Sequence, residues 1–271
     1  MSVVWRGATK SWQRRRRGTQ LAISVRWLLG VVVCVACWHS ISTKTMWIFV
    51  ADAPWQALDL ATRLVPPKWS YMSRLWRPLW DTLNMATLGT LLALLIALPV
   101  ALCAARNTTP SAVFVRPVAL GIIVASRSIN SLLWALMLVT VLGPGVLAGI
   151  IAIGLRSIGF VAKLLYEAIE EIDPTPVEAV AATGASRAQV VTFGIVPQVL
   201  PAFAGIAMFR WDINARESTV LGLVGAGGLG LQLDASIANL AWTQVSMILL
   251  VILGVVAVSE WVSARLRHAM L

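Results

Sequence analysis

Charged residues are scarce in this sequence, and the scarcity decides its class. Asp, Glu, Lys and Arg make up 13% of the 271 residues, whereas ordinary soluble domains carry about 25%. Hydrophobic residues make up 58%. So apolar a chain has too few polar side chains to cover a water-soluble surface, and the composition therefore predicts a membrane protein.

Side chains that support catalysis or metal binding are also rare. Cys34 and Cys37 lie two residues apart in one apolar run, and Cys103 lies alone in another. This pattern gives neither a disulfide framework nor four metal ligands, so we expect three small apolar helix residues. His39 and His268 are isolated. Without a mid-span histidine, an H-E-x-x-H motif or paired carboxylates, the sequence predicts no catalytic residue, no metal and no cofactor in this chain.

Long apolar runs, in contrast, are abundant. A hydrocarbon core of about 30 Å requires roughly 20 apolar residues in a helix. Runs of this length are too long and too continuous for the alternating strands of a β-barrel. The sequence therefore predicts an all-α membrane protein with six transmembrane helices, at 22–43, 82–105, 117–142, 146–169, 194–219 and 241–263.

The net charge of +10 reflects basic residues at the ends of these runs and does not indicate nucleic acid as a partner. Six basic residues precede the first run, which has no cleavage site after it and is predicted to be an uncleaved span. The positive-inside rule predicts a cytoplasmic N-terminus, and six spans return the C-terminus to the same side. We expect a multi-pass protein of the bacterial cytoplasmic (inner) membrane.

One segment departs from the charge rule. Residues 44–80 carry five basic side chains and five tryptophans but are predicted to lie outside. Arg and Trp both suit a segment that lies along the membrane interface. The predicted organisation is a basic cytoplasmic N-terminus (1–20), the first span (21–43), this external interfacial segment (44–80) and a five-helix core (81–271) with a cytoplasmic loop at 170–197.

A glycine-rich stretch, VLGLVGAGGLG, contains Gly225-x-Gly227-x-x-Gly230, the spacing of a dinucleotide-binding turn. That fingerprint also requires an acidic residue about 20 positions further on, where this sequence reads VSMILL. We therefore expect no nucleotide here. Close backbone approach and positive φ at the membrane boundary would explain the glycines.

The predicted cytoplasmic loop interrupts the apolar pattern. Asp173, Pro174 and Pro176 indicate the end of one helix, and a short helix is predicted from Pro176 to Ala182. Gly184 is expected to turn the chain. Ser186 is expected to cap the next helix.

This loop resembles the EAA loop of ATP-binding-cassette importer permeases, whose pattern is E-A-A, three residues, G, nine residues, I-x-L-P. The matching residues are Glu178-Ala179-Val180, Gly184 and Val196-Pro197. The sequence departs from the pattern with Val180 at the second alanine, Gly194 at the isoleucine and Val196 at the leucine. The resemblance implies that the ATPase is contacted by Glu178, Ala179, Gly184, Ala185, Ser186 and Pro197.

From about Leu79 onward, the chain is similar to the permease subunit of phosphonate and phosphite importers. The similar segments are DTLNMATLGTLLALLIALPVALCAARN, IGFVAKLLYEAIEEIDP and WDINARESTVLGLVGAGGLG. The resemblance implies the type I importer (MetI-like) fold and inward transport of a phosphorus oxyanion by alternating access. The implied partners are an external substrate-binding protein and a cytoplasmic ATPase dimer that holds ATP and magnesium. Because that dimer presents two docking grooves, we expect a homodimer of this chain.

Arginines within the spans suggest where an anion passes. Arg127 follows Pro117 by ten residues and is predicted to lie roughly 15 Å deep. Together with Asn130, Ser131 and Trp134 it is expected to form one polar helical stripe. A mid-span arginine costs about 2.5 to 3.5 kcal/mol on insertion scales, so it should face the bundle interior.

Two carboxylates partly balance these charges. Asp212 can pair with Arg216, and Glu217 with Arg210, so Arg210 and Arg156 are either structural or part of the pathway. Four arginines against two carboxylates leave a positive surplus, which suits a phosphorus oxyanion. The predicted pathway residues are Arg127, Arg216, Ser126, Ser128, Asn130, Asn214 and Ser218.

Two alternatives remain open at this point. A methionine-type amino-acid permease shares the glycine-rich stretch, and an ATP-independent channel is compatible with the composition. Dependence of uptake on ATP and on a binding protein distinguishes the channel from the importer.

Overall fold

The computed structural model describes residues 2–6, 9–13 and 17–270. It contains two compact units, of which the first ends at Thr62 and the second begins at Arg63. Residue 81, where the predicted five-helix core begins, lies within the second unit, and the predicted division of the chain about the membrane stays a prediction.

The first unit holds a short hairpin and two helices. Strands β1 (Ser2–Arg6) and β2 (Thr9–Gln13) pair antiparallel. Helix α1 (Arg17–Lys44) is long and apolar enough to span a membrane, and Cys34 and Cys37 are free and exposed on it. Helix α2 (Trp47–Leu64) has no buried residue, and it occupies the first half of the predicted interfacial segment.

The second unit is built around long helices. A short 3₁₀ turn (Trp69–Tyr71) leads into α3 (Met72–Ala104), which begins ten residues before the predicted span, so the second half of the predicted interfacial segment is helical. Helices α6 (Val146–Glu170), α9 (Val196–Leu221) and α11 (Trp242–Met270) agree with predicted spans four, five and six. Within the described residues, five helical runs are long and apolar enough to cross a membrane, or six if a bent pair counts as one.

That bent pair replaces the predicted third span. Helices α4 (Val115–Ser128) and α5 (Ser131–Leu142) meet at 87°. Ile129 is extended, and the extended Asn130 caps α5 by accepting a hydrogen bond from the Leu132 N–H at 3.2 Å. The predicted single helix over 117–142 is thus wrong. The predicted helical stripe from Arg127 to Trp134 is wrong for the same reason.

Small residues let α3 and α6 pack closely. A Cβ added to Gly89 of α3 would lie 2.7 Å from Cγ2 of Ile153, and one on Gly154 of α6 would lie 2.8 Å from Cδ2 of Leu92. Buried alanines continue the contact along α3. Apolar side chains gain little from leaving lipid, so membrane helices associate through such close packing.

The glycine-rich stretch forms a turn between α9 and α10 (Gly228–Ala238). Gly225, Gly227 and Gly228 have φ of +92°, +91° and +70°, the region that glycine adopts without strain. A Cβ on Gly222 would lie 2.6 Å from Cα of Gly230. Both expectations for these glycines, positive φ and close backbone approach, are confirmed.

Candidate transport pathway and coupling surface

The predicted short helix of the loop is α7 (Pro174–Ala182), which begins two residues earlier than expected. Asp173 caps it, because its Oδ1 accepts a hydrogen bond from the Thr175 N–H at 2.9 Å. This backbone bond, with a contribution from the Thr175 side chain, lowers the pKa of Asp173 below its usual value. The cap keeps an anionic carboxylate at the positive end of the helix.

After α7 the chain turns at Gly184, whose φ is +79°. Helix α8 (Arg187–Val190) then begins with a capping box, in which Gln189 Oε1 accepts a hydrogen bond from the Ser186 N–H at 2.8 Å. The turn at Gly184 and the cap at Ser186 were both predicted, and both are confirmed. A π turn (Val191–Ile195) follows and leads into α9.

The outer surface of α7 is free within the described chain. No residue of α7 is buried, and Glu178 and Ala179 are exposed. On its other side α7 rests on the π turn, where a Cβ on Gly194 would lie 3.2 Å from Cα of Val177. Gly194 is one of the departures from the loop pattern, and this close approach gives it a packing reason.

Two hydrogen bonds tie the start of α7 to α9. Oε1 of Gln198 accepts from the Asp173 N–H at 3.1 Å, and Nε2 of Gln198 donates to the Asp173 carbonyl at 3.2 Å. These two bonds connect the start of α7 to a helix that is long and apolar enough to cross a membrane. No local pattern in the sequence predicts the role of Gln198, because the partners are 25 residues apart.

Arg210 of α9 is a packed structural residue, with 3% of its side chain exposed. Its Nε donates to Ser157 Oγ at 2.8 Å, its guanidinium lies 5.3 Å from the Phe160 ring centroid, and its Nη2 is 3.5 Å from Glu217 Oε2. The predicted Arg210–Glu217 pair is confirmed. The Ser157 hydroxyl donates in turn to Oδ1 of Asn214. Nδ2 of Asn214 donates to Oγ1 of Thr90 on α3.

Arg156 of α6 has a different environment. Its Nη1 pairs with Glu217 Oε1 and lies 3.4 Å from Ser131 Oγ, while 32% of its side chain is exposed. Arg216 pairs with Asp212, as predicted, and 48% of its side chain is exposed. Asp212 also accepts a hydrogen bond from Ser259 of α11 at 2.9 Å.

Arg127 emerges at the junction between α4 and α5. It is exposed and has no ion pair with any described residue. A Cβ on Gly159 of α6 would lie 2.8 Å from its Cγ. The adjacent Ser126 accepts a hydrogen bond from the Gly159 N–H at 2.9 Å and donates to the Leu155 carbonyl. The junction is thus fixed to α6.

The structure divides the seven predicted pathway residues into two groups. Exposed side chains belong to Arg127, Ser128, Asn130 and Arg216. The other three side chains make internal hydrogen bonds, those of Ser126, Asn214 and Ser218. Sequence reasoning missed the Arg156–Glu217 pair, because its members are 61 residues apart on different helices.

Comparison with known proteins identifies the architecture. Residues 89–270 match the family model described as binding-protein-dependent transport system inner membrane component. The chain belongs to this family. A phosphite transport system permease protein, PtxC of Stutzerimonas stutzeri, is 40% identical over 264 residues, which cover 97% of this chain and 92% of PtxC.

Two further comparisons agree with this membership. The phosphate-import permease protein PhnE of Mycolicibacterium smegmatis is 40% identical over 212 residues, covering 78% of this chain and 40% of PhnE. The MetNI methionine transporter, solved in inward-facing conformations, has a chain that superimposes with a TM-score of 0.65 at 23% identity, covering 75% of this chain and 99% of that one. The predicted family and fold class are confirmed, and the chain is a transport component of the inner membrane.

Proposed function

We propose that this chain is the permease subunit of an ATP-driven importer for phosphite, phosphonate or a similar phosphorus oxyanion. The observation that carries the proposal is an excess of arginine over carboxylate within the spans, with part of that excess exposed. Arg127 and Arg216 are exposed and Arg156 is partly exposed, and the three lie on different helices. The names of the related permeases point to the same substrate class.

The exposure of these arginines indicates a polar surface. Exposing an arginine to lipid at the centre of a span costs about 2.5 to 3.5 kcal/mol on insertion scales. The three side chains therefore face a second subunit or a water-filled passage. Guanidinium groups donate paired hydrogen bonds to phosphorus oxyanions, so such a passage favours this class of anion over a neutral or zwitterionic amino acid.

In this proposal Arg127, Ser128, Asn130 and Arg216 line the passage. Ser126 and Asn214 connect neighbouring helices through their hydrogen bonds, whereas Ser218 donates to a carbonyl of its own helix. A passage with many unpaired charges would retain the anion, so the site is weak and transient.

In this proposal the energy for transport comes from ATP hydrolysis and acts on the cytoplasmic loop. The exposed face of α7 docks on a separate cytoplasmic ATPase, which binds ATP and magnesium. The contact residues are those implied by the loop resemblance, namely Glu178, Ala179, Gly184, Ala185, Ser186 and Pro197. ATPase closure moves α7, and the bonds from Gln198 to Asp173 pass this movement to α9.

The assembly contains two copies of this chain, one for each groove of the ATPase dimer, together with an external substrate-binding protein. Both termini are cytoplasmic. Copurification of two differently tagged copies in one complex tests the homodimer. Recovery of only one tag, together with a different permease chain, would contradict it.

Reconstitution tests the function directly. Proteoliposomes that contain this chain and its ATPase are supplied with ATP inside and with binding protein and phosphite, phosphonate, phosphate or methionine outside. We expect uptake of at least one phosphorus oxyanion that requires both ATP and binding protein. Uptake of methionine alone, or uptake without ATP, would contradict the proposal and favour the amino-acid permease or the channel, respectively.

A further inference from the structure

Glu217 is the shared partner of two arginines from different helices. One of its oxygens pairs with Arg156 of α6, and the other lies 3.5 Å from Arg210 of its own helix. One carboxylate against two guanidinium groups leaves one positive charge in this group. A monoanion that entered would bring the group to neutrality.

The two arginines are held very differently. Arg210 is 3% exposed and keeps Ser157 and Phe160 as partners whatever Glu217 does. Arg156 is 32% exposed, and its remaining side-chain contact is a long one, 3.4 Å to Ser131 Oγ. Of the two, Arg156 is the arginine that can exchange its partner.

Arg156 also lies beside the junction from which Arg127 emerges. Ser126 Oγ lies 3.4 Å from the Arg156 carbonyl oxygen, and the Arg156 guanidinium reaches Ser131 at the start of α5. Side chains on either side of the α4–α5 junction thus contact Arg156 of α6. An anion that reaches Arg127 meets Arg156 in the same part of the molecule.

We propose that the Glu217 carboxylate pairs with Arg156 in place of the transported anion and is displaced when that anion binds. This inference rests on the proposed function. In the resting protein the Glu217 carboxylate forms an ion pair with the Arg156 guanidinium. When a phosphorus oxyanion arrives, Arg156 turns to it, and Glu217 remains paired with Arg210. Glu217 gives Arg156 only one oxygen, whereas a phosphorus oxyanion offers two to the guanidinium fork. Because Glu217 keeps Arg210, the exchange leaves no buried charge unpaired.

Competition with Glu217 makes anion binding weak and easily reversed, which a transport site requires. Removing the charge of Glu217 should therefore strengthen binding and slow release. A gain in anion affinity is not expected for a pair that only stabilises the fold. In that case, loss of either partner lowers stability and leaves anion affinity unchanged.

The test uses the purified complex of permease and ATPase without binding protein, with phosphite and inorganic phosphate as probes. In Glu217→Gln the amide oxygen still accepts a hydrogen bond, but the competing charge is gone. We expect at least a roughly tenfold gain in affinity for phosphite or phosphate, equivalent to about 1.4 kcal/mol, and slower uptake in the full reconstituted system. Arg156→Gln in the Glu217→Gln background should remove the gain.

Glu167→Gln is the matched control, because Glu167 pairs with Lys163 on the exposed surface of the same helix as Arg156. It should leave anion affinity unchanged. A folded Glu217→Gln complex with wild-type affinity for both probes would overturn the inference. So would an equal gain in Glu167→Gln, because charge alone would then explain it.

If Glu217→Gln does not assemble, Arg156→Lys provides the test. Lysine keeps the charge but lacks the fork, so we expect weaker stimulation of ATPase activity by phosphite-loaded binding protein at an unchanged melting temperature. Wild-type stimulation would overturn the inference. Failure of the wild-type complex to import any phosphorus oxyanion is a separate result, and it would contradict the proposed function instead.

Discussion

The coupling segment around α7 and the charged cluster around Glu217 are built in opposite ways. In the coupling segment, most stabilising contacts are local, such as Asp173 with Thr175 and Ser186 with Gln189. In the charged cluster, Arg156, Glu217 and Thr90 come from three helices. Local caps stabilise the conformation of an exposed segment that has no hydrophobic core. Polar pairs between residues distant in sequence connect separate helices. Substitutions in the first region should therefore impair transport and spare the fold, and loss of a buried partner in the second should lower stability.

Gly184→Leu should have the largest effect on uptake. A leucine is strained at φ of +79°, at a cost of about 1 to 3 kcal/mol, and it adds bulk to the docking surface. We expect ATP-driven uptake to stop while the permease still inserts and folds. Glu178→Lys should act similarly, because it reverses a charge on the exposed face of α7.

Gly184→Asn is the matched control at the same position. Asparagine tolerates positive φ and is small, so we expect it to keep most of the uptake. Wild-type uptake in Gly184→Leu would show that this turn does not contact the ATPase.

Arg210→Met tests how much the charged cluster contributes to the stability of the fold. The substitution leaves the buried Ser157 hydroxyl without its 2.8 Å donor, while Glu217 keeps Arg156 as its ionic partner. Leaving a buried acceptor without its donor costs about 1 to 3 kcal/mol, so we expect a lower melting temperature in detergent and reduced yield. Lys163→Met, in an exposed pair, should cost about 1 kcal/mol or less. Equal melting temperatures for the two variants would contradict a structural role for Arg210.

The difference between the regions also explains what could be predicted. The loop helix, its turn and the Ser186 cap depend on residues within a few positions of one another, so the sequence predicts them. The break at Ile129 has no proline near it, since Pro117 is 12 residues away, and Asn130 resembles one more polar residue of a helical stripe. Its role as a cap becomes visible only in three dimensions. The sharing of Glu217 by two arginines could not be predicted, because it depends on how α6 packs against α9.

Arg127→Gln and Arg216→Gln should each reduce uptake, but only Arg127→Gln should do so without loss of stability. Arg127 has no ion pair in the described chain, whereas Arg216→Gln leaves the buried carboxylate of Asp212 with Ser259 as its remaining side-chain partner. We expect a reduction of roughly ten- to hundredfold in uptake for each, comparable to the loss of one charged hydrogen bond to the anion, about 1.5 to 3 kcal/mol. Stimulation of ATPase activity by the loaded binding protein should fall in parallel.

Arg106→Gln provides the control for charge. Arg106 is largely exposed, and its side chain lies 3.9 Å from Glu170 at the end of α6. Its loss should leave uptake unchanged. If both pathway variants transport at the wild-type rate, these arginines do not lie on the path of the anion.

The smallest effect is expected at the glycine-rich turn, where adding NAD should change nothing. A dinucleotide-binding turn presents free N–H groups at the start of a helix to the pyrophosphate. Here those groups are already used: the Leu229 N–H donates to Thr82 Oγ1 at 2.9 Å, and the Gly225 N–H donates to the Gly222 carbonyl at 3.1 Å. Residues 226–230 are buried, and a Cβ on Gly228 would already lie 2.9 Å from Cε of Met85. A pyrophosphate has no space to enter without separating α10 from α3. We therefore expect a titration of the purified permease with NAD, followed by tryptophan fluorescence, to show no saturable change. Micromolar binding of NAD would contradict this prediction. It would show that the turn separates from Thr82 to admit the pyrophosphate.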